Sequence, residues 1–139
     1  MKSVLILCTG NSARSQMAEG LLRSMAGNGF EVESAGTKPS IVRKEAIAAL
    51  AEVGIDISDH RSKSVDEFAG RDFDFVLTVC DNARENCPYF PATTRTIHHS
   101  FADPADASGD FDARLAEFKR VRDEIREYFE SEFLTIISN

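Results

Sequence analysis

The order of apolar and polar positions along the chain predicts alternating strands and helices. Val4–Leu7 is apolar at every position, which is typical of a strand buried on both faces, and we expect the first strand over Lys2–Leu7. A loop of small residues follows, and then a helix that Gly27–Gly29 is expected to end. The apolar stripe of this helix consists of Met17, Ala18, Leu21, Leu22 and Met25.

The same alternation continues through the rest of the chain. Further strands are predicted over Phe30–Ser34, Phe73–Val79 and Thr93–His98. Further helices are predicted over Arg43–Val53 and from Phe111 onward, the last with the stripe Leu115, Phe118, Val121, Ile125 and Phe129. Connections are expected over Ser58–Ser64 and Phe101–Asp110. A helix or turn is expected to begin at Asp81 and to stop at Cys87-Pro88.

Strands that alternate with helices predict an α/β fold whose parallel sheet is covered on both faces, which makes three layers. In such sheets ligands bind beyond the carboxyl ends of the strands. Cys8, Cys80 and the loop that holds Asp103 all follow predicted strands. We therefore expect these three parts of the chain to meet at one edge of the sheet.

Length and composition narrow the classes of function. The 139 residues are expected to form one domain over 1–139, with 42% hydrophobic and 28% charged residues. The net charge of −7 argues against nucleic acid and against an anionic membrane surface as partners. The apolar run at the start is too short for a membrane span, and three cysteines without a secretory signal indicate the reducing cytoplasm. An anionic ligand would then need a local binding device.

The loop between Cys8 and Arg14 can supply that device. A tight loop at a helix amino terminus turns its backbone N–H groups inward and makes a nest for a tetrahedral oxyanion. The same positive potential favours the Cys8 thiolate, and Arg14 can hold two oxygens through its planar guanidinium. Ser15 is expected either to donate to the thiolate or only to cap the helix. The residues expected to bind the oxyanion are Thr9, Gly10, Asn11, Ser12, Ala13, Arg14 and Ser15.

The loop and its cysteine have two other interpretations. Without Arg14 and the loop, Cys8 would be interpreted equally well as a buried core thiol. A nucleotide-binding P-loop requires the pattern GxxxxGK[ST], which is absent, and no lysine lies between Lys2 and Lys38. Gly10 and Asn11 suit a loop with unusual backbone angles. The sequence therefore favours the oxyanion nest.

Three stretches of the chain resemble one known family. CTGNSARSQMAEG, the cysteines of TVCDNARENCP and the DP of SFADPA are similar to thioredoxin-coupled arsenate reductases, which share their fold with low-molecular-weight protein tyrosine phosphatases. The resemblance implies a four-stranded parallel sheet, Cys8 as nucleophile, Arg14 as oxyanion clamp and Asp103 as general acid. Pro104 favours an extended Asp103, although an aspartate before proline is also a common turn device.

The two remaining cysteines separate the reaction classes. A phosphatase needs one nucleophilic thiol and water, whereas reduction of arsenate needs two electrons, which two thiols provide when they form a disulfide. The resemblance implies that Cys8 attacks arsenic, Cys80 attacks Cys8, and Cys87 attacks Cys80. Thioredoxin would then reduce the Cys80–Cys87 disulfide, with no bound cofactor. The alternative is that Cys80 is a buried thiol at the end of a strand and Cys87 a chance neighbour.

Further alternatives concern the class of protein and a metal. The same residues suit a phosphatase acting on phosphoesters, or a cysteine redox sensor that binds phosphate or sulfate without turnover. A zinc site of Cys80, Cys87, His98 and His99 is disfavoured, because the gap between the cysteines exceeds the usual spacing of roughly two to four residues. We expect no metal, a monomer, and arsenate as substrate with phosphate or sulfate as analogues.

The chain departs from its relatives at two positions. Many relatives have cysteine where this chain has Ala13, a position outside the three-step relay. Some relatives hold a monovalent cation through residues that match Asn11, Glu19 and Ser34, with an aspartate where Lys63 aligns. The Lys63 ammonium is expected to replace that cation, so no potassium requirement is expected. Asn11 and Glu19 are expected to stiffen the loop by hydrogen bonds.

Overall fold

The structure, a computed structural model, describes residues 1–81 and 89–138. Its strands are β1 (Lys2–Cys8), β2 (Phe30–Gly36), β3 (Phe75–Thr78) and β4 (Arg95–His98). They form one sheet in the order β2-β1-β3-β4, and every neighbouring pair is parallel. The predicted four-stranded parallel sheet is confirmed.

The described helices follow the predicted stripes. They are α1 (Arg14–Ala26), α2 (Lys44–Glu52), α3 (Phe111–Tyr128) and α4 (Leu134–Ser138), with the π-helical segment Phe129–Phe133 between the last two. Short 3-10 helices occupy Gly27–Gly29, Val65–Phe68 and Pro104–Asp106. Phe129 and Phe133 are both fully buried, and the π-helical turn keeps these two aromatic rings on the core side of the carboxyl-terminal helix. Along 1–81 and 89–138, no helix has both the length and the apolar character needed to cross a membrane.

The two faces of the sheet bury two separate clusters. Helices α1, α2 and α3 cover one face, where side chains such as Ile6 and Leu77 are fully buried. On the other face, Leu5, Leu7 and Val76 pack against three aromatic rings. One lies in the Val65–Phe68 helix, one follows it, and one lies beyond residue 88. These rings are Phe68, Phe73 and Phe90. Both faces are covered, so the predicted three-layer arrangement is confirmed.

The ends of some strands differ from the predicted ones, because pairing with the neighbouring strand decides where a strand begins and ends. Strand β2 extends past Ser34 to Gly36, because Gly36 pairs with Cys8 at the end of β1. Strand β3 begins at Phe75 rather than Phe73, and the Phe73 carbonyl instead accepts a hydrogen bond from the Thr93 amide. That bond precedes β4, which begins at Arg95. The predicted helix or turn from Asp81 to Cys87-Pro88 falls largely on residues 82–88, outside the described residues.

The 3-10 helix over Val65–Phe68 has no counterpart among the predicted elements. Its capping box has two parts: the Ser64 side chain accepts from the Asp66 amide, and the Glu67 side chain accepts from the Ser64 amide. The sequence signal is the serine followed three residues later by glutamate, but the apolar run after it is too short for a periodicity to be recognised.

Candidate active site

The loop between β1 and α1 forms the base of the site. Strand β1 ends at Cys8 and α1 begins at Arg14, and both residues are almost fully buried. The left-handed backbone conformation occurs at Asn11, with φ of 47°, and not at Gly10. The expectation of unusual backbone angles is therefore met at Asn11, where a short polar side chain tolerates them.

Two donors surround the sulfur of Cys8, which is a free thiol. The Asn11 amide donates to Cys8 Sγ at 3.2 Å, and Ser15 Oγ lies 2.8 Å from the same sulfur. No side-chain hydrogen bond caps α1, so Ser15 contacts the thiol instead of capping the helix. Both groups can donate to a negatively charged sulfur, and hydrogen bonds to a charged acceptor are stronger than those to a neutral one.

Arg14 and Asp103 meet across the site. Arg14 Nη2 lies 3.4 Å from Asp103 Oδ2, and Arg14 Nη1 donates to the Phe101 carbonyl at 3.2 Å. Asp103 Oδ1 accepts from the Ala105 amide at 3.0 Å and caps the Pro104–Asp106 helix. Asp103 is thus both a turn-forming residue and a carboxylate facing the arginine. One of its oxygens remains directed at the site.

Most of the predicted oxyanion-binding residues line one cavity of about 290 Å³. Its lining includes Cys8, Thr9, Gly10, Ser12, Ala13, Arg14 and Asp103. Asn11 and Ser15 are fully buried behind the loop and contact Cys8 rather than the cavity. A larger groove of about 440 Å³ lies between the His99–Ala102 segment and α3, and none of the predicted site residues that the structure describes lines it.

The four predicted loop-support residues form one hydrogen-bonded chain. Asn11 Nδ2 donates to Ser34 Oγ at 3.0 Å, and Ser34 Oγ donates to Glu19 Oε1 at 2.7 Å. Lys63 Nζ lies 3.3 Å from the same Glu19 oxygen. The buried Glu19 carboxylate therefore connects a lysine ammonium to the loop that carries Cys8.

Two further side chains, Arg23 and His60, lie close to the Glu19 carboxylate. Glu19 Oε2 lies 3.3 Å from Arg23 Nη1 and 3.4 Å from His60 Nδ1. Lys63 Nζ also contacts Glu33 Oε1 at 2.8 Å. A buried carboxylate requires such partners, because an uncompensated charge in the interior is costly.

Three further residues hold the loop and were not expected from the sequence. Gln16 Nε2 donates to the Asn11 carbonyl and side chain at 3.2 and 3.0 Å, and Ser62 Oγ donates to the Gly10 carbonyl at 3.0 Å. A Cβ at Gly36 would stand 2.4 Å from the Thr9 carbonyl oxygen. Gln16 lies inside the recognised motif, whereas Ser62 and Gly36 act through contacts that only the tertiary fold creates.

Of the two other cysteines of the predicted relay, the structure describes Cys80 but not Cys87. Cys80 is fully buried two residues beyond β3 and is disulfide-bonded. Cys87 lies outside the described residues, so its position in the site stays a prediction. The sheet does bring the carboxyl ends of β1 and β3 side by side, since Leu7 pairs with Thr78.

Comparison with known proteins places this fold and site in a family. The model of the low molecular weight phosphotyrosine protein phosphatase family matches residues 3–136. Arsenate reductase 2 of Staphylococcus saprophyticus is 46% identical over 124 residues, which are 89% of this chain and 90% of that protein. The chain belongs to the low molecular weight phosphotyrosine protein phosphatase family, and it is similar to arsenate reductases within it.

Two solved structures show the same similarity. One is an arsenate reductase in the phosphate-binding state, with a TM-score of 0.80 and 33% identity over 98% of this chain and 99% of that one. The other is a thioredoxin-dependent arsenate reductase of Corynebacterium glutamicum, with a TM-score of 0.66 and 28% identity over 97% of this chain and 63% of that one.

Proposed function

We propose that this protein reduces arsenate to arsenite through a three-cysteine relay that thioredoxin recycles. The observation that carries the proposal is the shared cavity in which the free Cys8 thiol, Arg14 and Asp103 meet. The similarity to arsenate reductases over most of the chain supports the same reaction.

In the first step, the Cys8 thiolate attacks arsenic and an oxygen leaves. The loop amides and Arg14 hold the remaining oxygens, and the acid form of Asp103 gives its proton to the departing oxygen, which leaves as water. The product is a thioester of arsenic in which arsenic is still pentavalent. The donors at Asn11 and Ser15 stabilise the thiolate before the attack.

In the second step, the thiolate of Cys80 attacks the sulfur of Cys8. The electron pair of the sulfur–arsenic bond passes to arsenic, so trivalent arsenite leaves and a Cys8–Cys80 disulfide forms. The thiolate of Cys87 then attacks Cys80, which frees the Cys8 thiolate and leaves a Cys80–Cys87 disulfide. The two thiols of reduced thioredoxin return that disulfide to two thiols, and no bound cofactor is needed.

Thioredoxin is proposed as the electron donor because of disulfide chemistry and because of similarity to another protein. A disulfide between two cysteines is the usual substrate of a dithiol reductant, and a similar protein of Corynebacterium glutamicum is described as thioredoxin-dependent. We expect the protein to act as a monomer in the cytoplasm, where thiols are kept reduced. No metal and no nucleic acid takes part in the proposed reaction.

The second candidate is a phosphatase that hydrolyses phosphoesters through a cysteinyl-phosphate intermediate. It uses the same nest, arginine and acid, and the family description favours it. Against it, the cavity is bounded near the acid by Ala105 and Asp106, and its lining within 1–81 and 89–138 includes no aromatic residue. An aryl phosphate would find little apolar surface there.

One assay separates these candidates. The reduced protein is incubated with arsenate, thioredoxin, thioredoxin reductase and NADPH, and arsenite release is measured beside hydrolysis of p-nitrophenyl phosphate. Arsenite formation that stops when thioredoxin is omitted supports the proposal. Rapid phosphoester hydrolysis without arsenite would favour the phosphatase, and phosphate binding with neither activity would favour a redox sensor. Cys8→Ser is the control, and it is expected to abolish both activities.

A further inference from the structure

Arg43 lies at the mouth of the Cys8 cavity, although it is far from the loop in sequence. It immediately precedes α2 and lines the same cavity as Cys8, Arg14 and Asp103. Its backbone amide donates to the Ser12 carbonyl at 3.0 Å. The start of α2 is thereby tied to the loop, which fixes the base of the Arg43 side chain relative to the bound oxyanion.

No carboxylate among the described residues forms an ion pair with the guanidinium of Arg43. Within residues 1–81 and 89–138, it makes no hydrogen bond or ion pair. Glu45, two residues further on, is held by Arg114 Nε at 3.0 Å. Burial raises the pKa of Glu45, but its backbone hydrogen bond, Arg114 and, least of all, the charge of the nearby Arg43 outweigh burial, so the pKa lies below its ordinary value. The nearest acidic neighbour along the helix is therefore already paired.

The charged residues that line the cavity explain why a second cation besides Arg14 is needed to bind a dianion. Two carboxylates, Asp103 and Asp106, line it together with Arg14, whose charge is partly neutralised by Asp103 at 3.4 Å. Counting only the described lining residues, and with both carboxylates ionised, removal of Arg43 would leave a net negative charge even before Cys8 loses its proton. The chain as a whole is also strongly acidic, with a net charge of −7. Both features repel an incoming dianion.

We propose that Arg43 is a specificity-determining residue that captures dianionic tetrahedral oxyanions at the mouth of the Cys8 cavity. The proposal rests on the proposed function for the identity of the substrate, arsenate, but the capture step applies equally to phosphate. Arg43 adds the positive charge that Arg14 alone does not supply, while Arg14 contacts the reacting group deeper in the site. Its contribution is to binding and association rather than to bond breaking.

The test compares Arg43→Gln and Arg43→Lys with Lys44→Ala as a matched control. Lys44 is the next residue, lies over the Phe111 ring at 5.3 Å and does not line the cavity. The first readout is the concentration of inorganic phosphate that halves the rate of Cys8 alkylation by iodoacetamide. We expect it to rise about tenfold in Arg43→Gln, to rise less in Arg43→Lys, and to stay unchanged in Lys44→Ala.

The second readout is steady-state arsenate reduction. We expect KM to rise about tenfold in Arg43→Gln with kcat unchanged, and the fall of kcat/KM with added salt to become shallower. If the phosphate concentration that halves Cys8 alkylation is the same in Arg43→Gln as in the wild type, the proposed role of Arg43 is wrong. This holds even if arsenate reduction is intact. A wild-type protein that reduces no arsenate would overturn the proposed function, while the phosphate readout would still decide on Arg43.

Discussion

The Ser15 hydroxyl lies 2.8 Å from the sulfur of Cys8 and at the same time accepts a hydrogen bond from Asn11 Nδ2 at 2.8 Å. Because Asn11 supplies the proton of the second bond, the hydroxyl proton of Ser15 is left to point at the sulfur. Ser15 is fully buried, so water does not compete for this proton. The Ser15 hydroxyl is therefore a hydrogen-bond donor to the Cys8 sulfur.

We predict that Ser15→Ala lowers the rate of Cys8 alkylation at neutral pH by about tenfold, because the thiolate loses a charge-assisted hydrogen bond. The rate of arsenate reduction should fall by a similar factor. Alkylation by iodoacetamide, followed by mass spectrometry, measures the first effect. Ser24→Ala serves as control, since Ser24 is exposed on the same helix. Equal alkylation rates in Ser15→Ala and the wild type would contradict the role of the hydroxyl.

Gly36 ends β2 where the sheet meets the loop. A Cβ there would stand 2.4 Å from the Thr9 carbonyl oxygen and 3.0 Å from the Asn11 nitrogen, both backbone atoms that cannot rotate away. We predict that Gly36→Ala lowers the free energy of unfolding by about 2 kcal/mol and displaces the loop, with loss of phosphate protection of Cys8. Urea denaturation and the alkylation assay check the two effects.

Gly29→Ala is the control for this change. A Cβ at Gly29 meets no atom within 4 Å, so we expect its unfolding midpoint and phosphate protection to match the wild type. If Gly36→Ala binds phosphate as well as Gly29→Ala does, the close approach of β2 to the loop is not required for the nest.

The local features of this protein were predictable from sequence, because they depend on neighbours along the chain. The buried run at Val4–Leu7 and the helical stripe after it predict a strand and a helix, and the Cys8–Arg14 loop necessarily joins them. The end of β2 was not predictable in the same way. It depends on the pairing of Cys8 with Gly36, which no local pattern encodes.

The candidate site likewise has residues that the sequence indicates and residues that only the fold brings in. The residues of the loop were identified from the motif, whereas the connection of Lys63 to Glu19 came from resemblance to relatives and not from spacing. Arg43 and Ser40 line the cavity because α2 begins beside the loop, and nothing in their sequence neighbourhood indicates an oxyanion site. Polar residues that are distant in sequence can be assigned to the cavity only when the folded structure is known.

The relay predicts a specific defect in Cys87→Ser. Cys8 and Cys80 remain, so one arsenite can form for each enzyme before the protein stops as a Cys8–Cys80 disulfide. We expect a burst of about one equivalent in rapid quench, followed by no steady-state turnover with thioredoxin. Cys8→Ser should show no burst. Undiminished steady-state turnover in Cys87→Ser would assign the third step to an external thiol.

Lys63 supplies a fixed cation to the buried Glu19. Its Nζ lies 3.3 Å from Glu19 Oε1, and the carboxylate is 2% exposed. We predict that Lys63→Ala lowers the free energy of unfolding by about 2 kcal/mol, because Glu19 loses a positive partner and keeps Arg23. Phosphate protection of Cys8 should weaken as well, since Glu19 reaches Asn11 through Ser34.

The same arrangement predicts the response to monovalent cations. The wild type should reduce arsenate equally fast in potassium and sodium salts of the same ionic strength, because the lysine ammonium already occupies the position beside Glu19. In Lys63→Ala that position is open, so potassium should restore part of the lost activity, whereas Lys63→Arg should keep the charge and show no potassium dependence. Steady-state assays at matched ionic strength compare the three proteins. A wild type that requires potassium would show that Lys63 does not replace the cation.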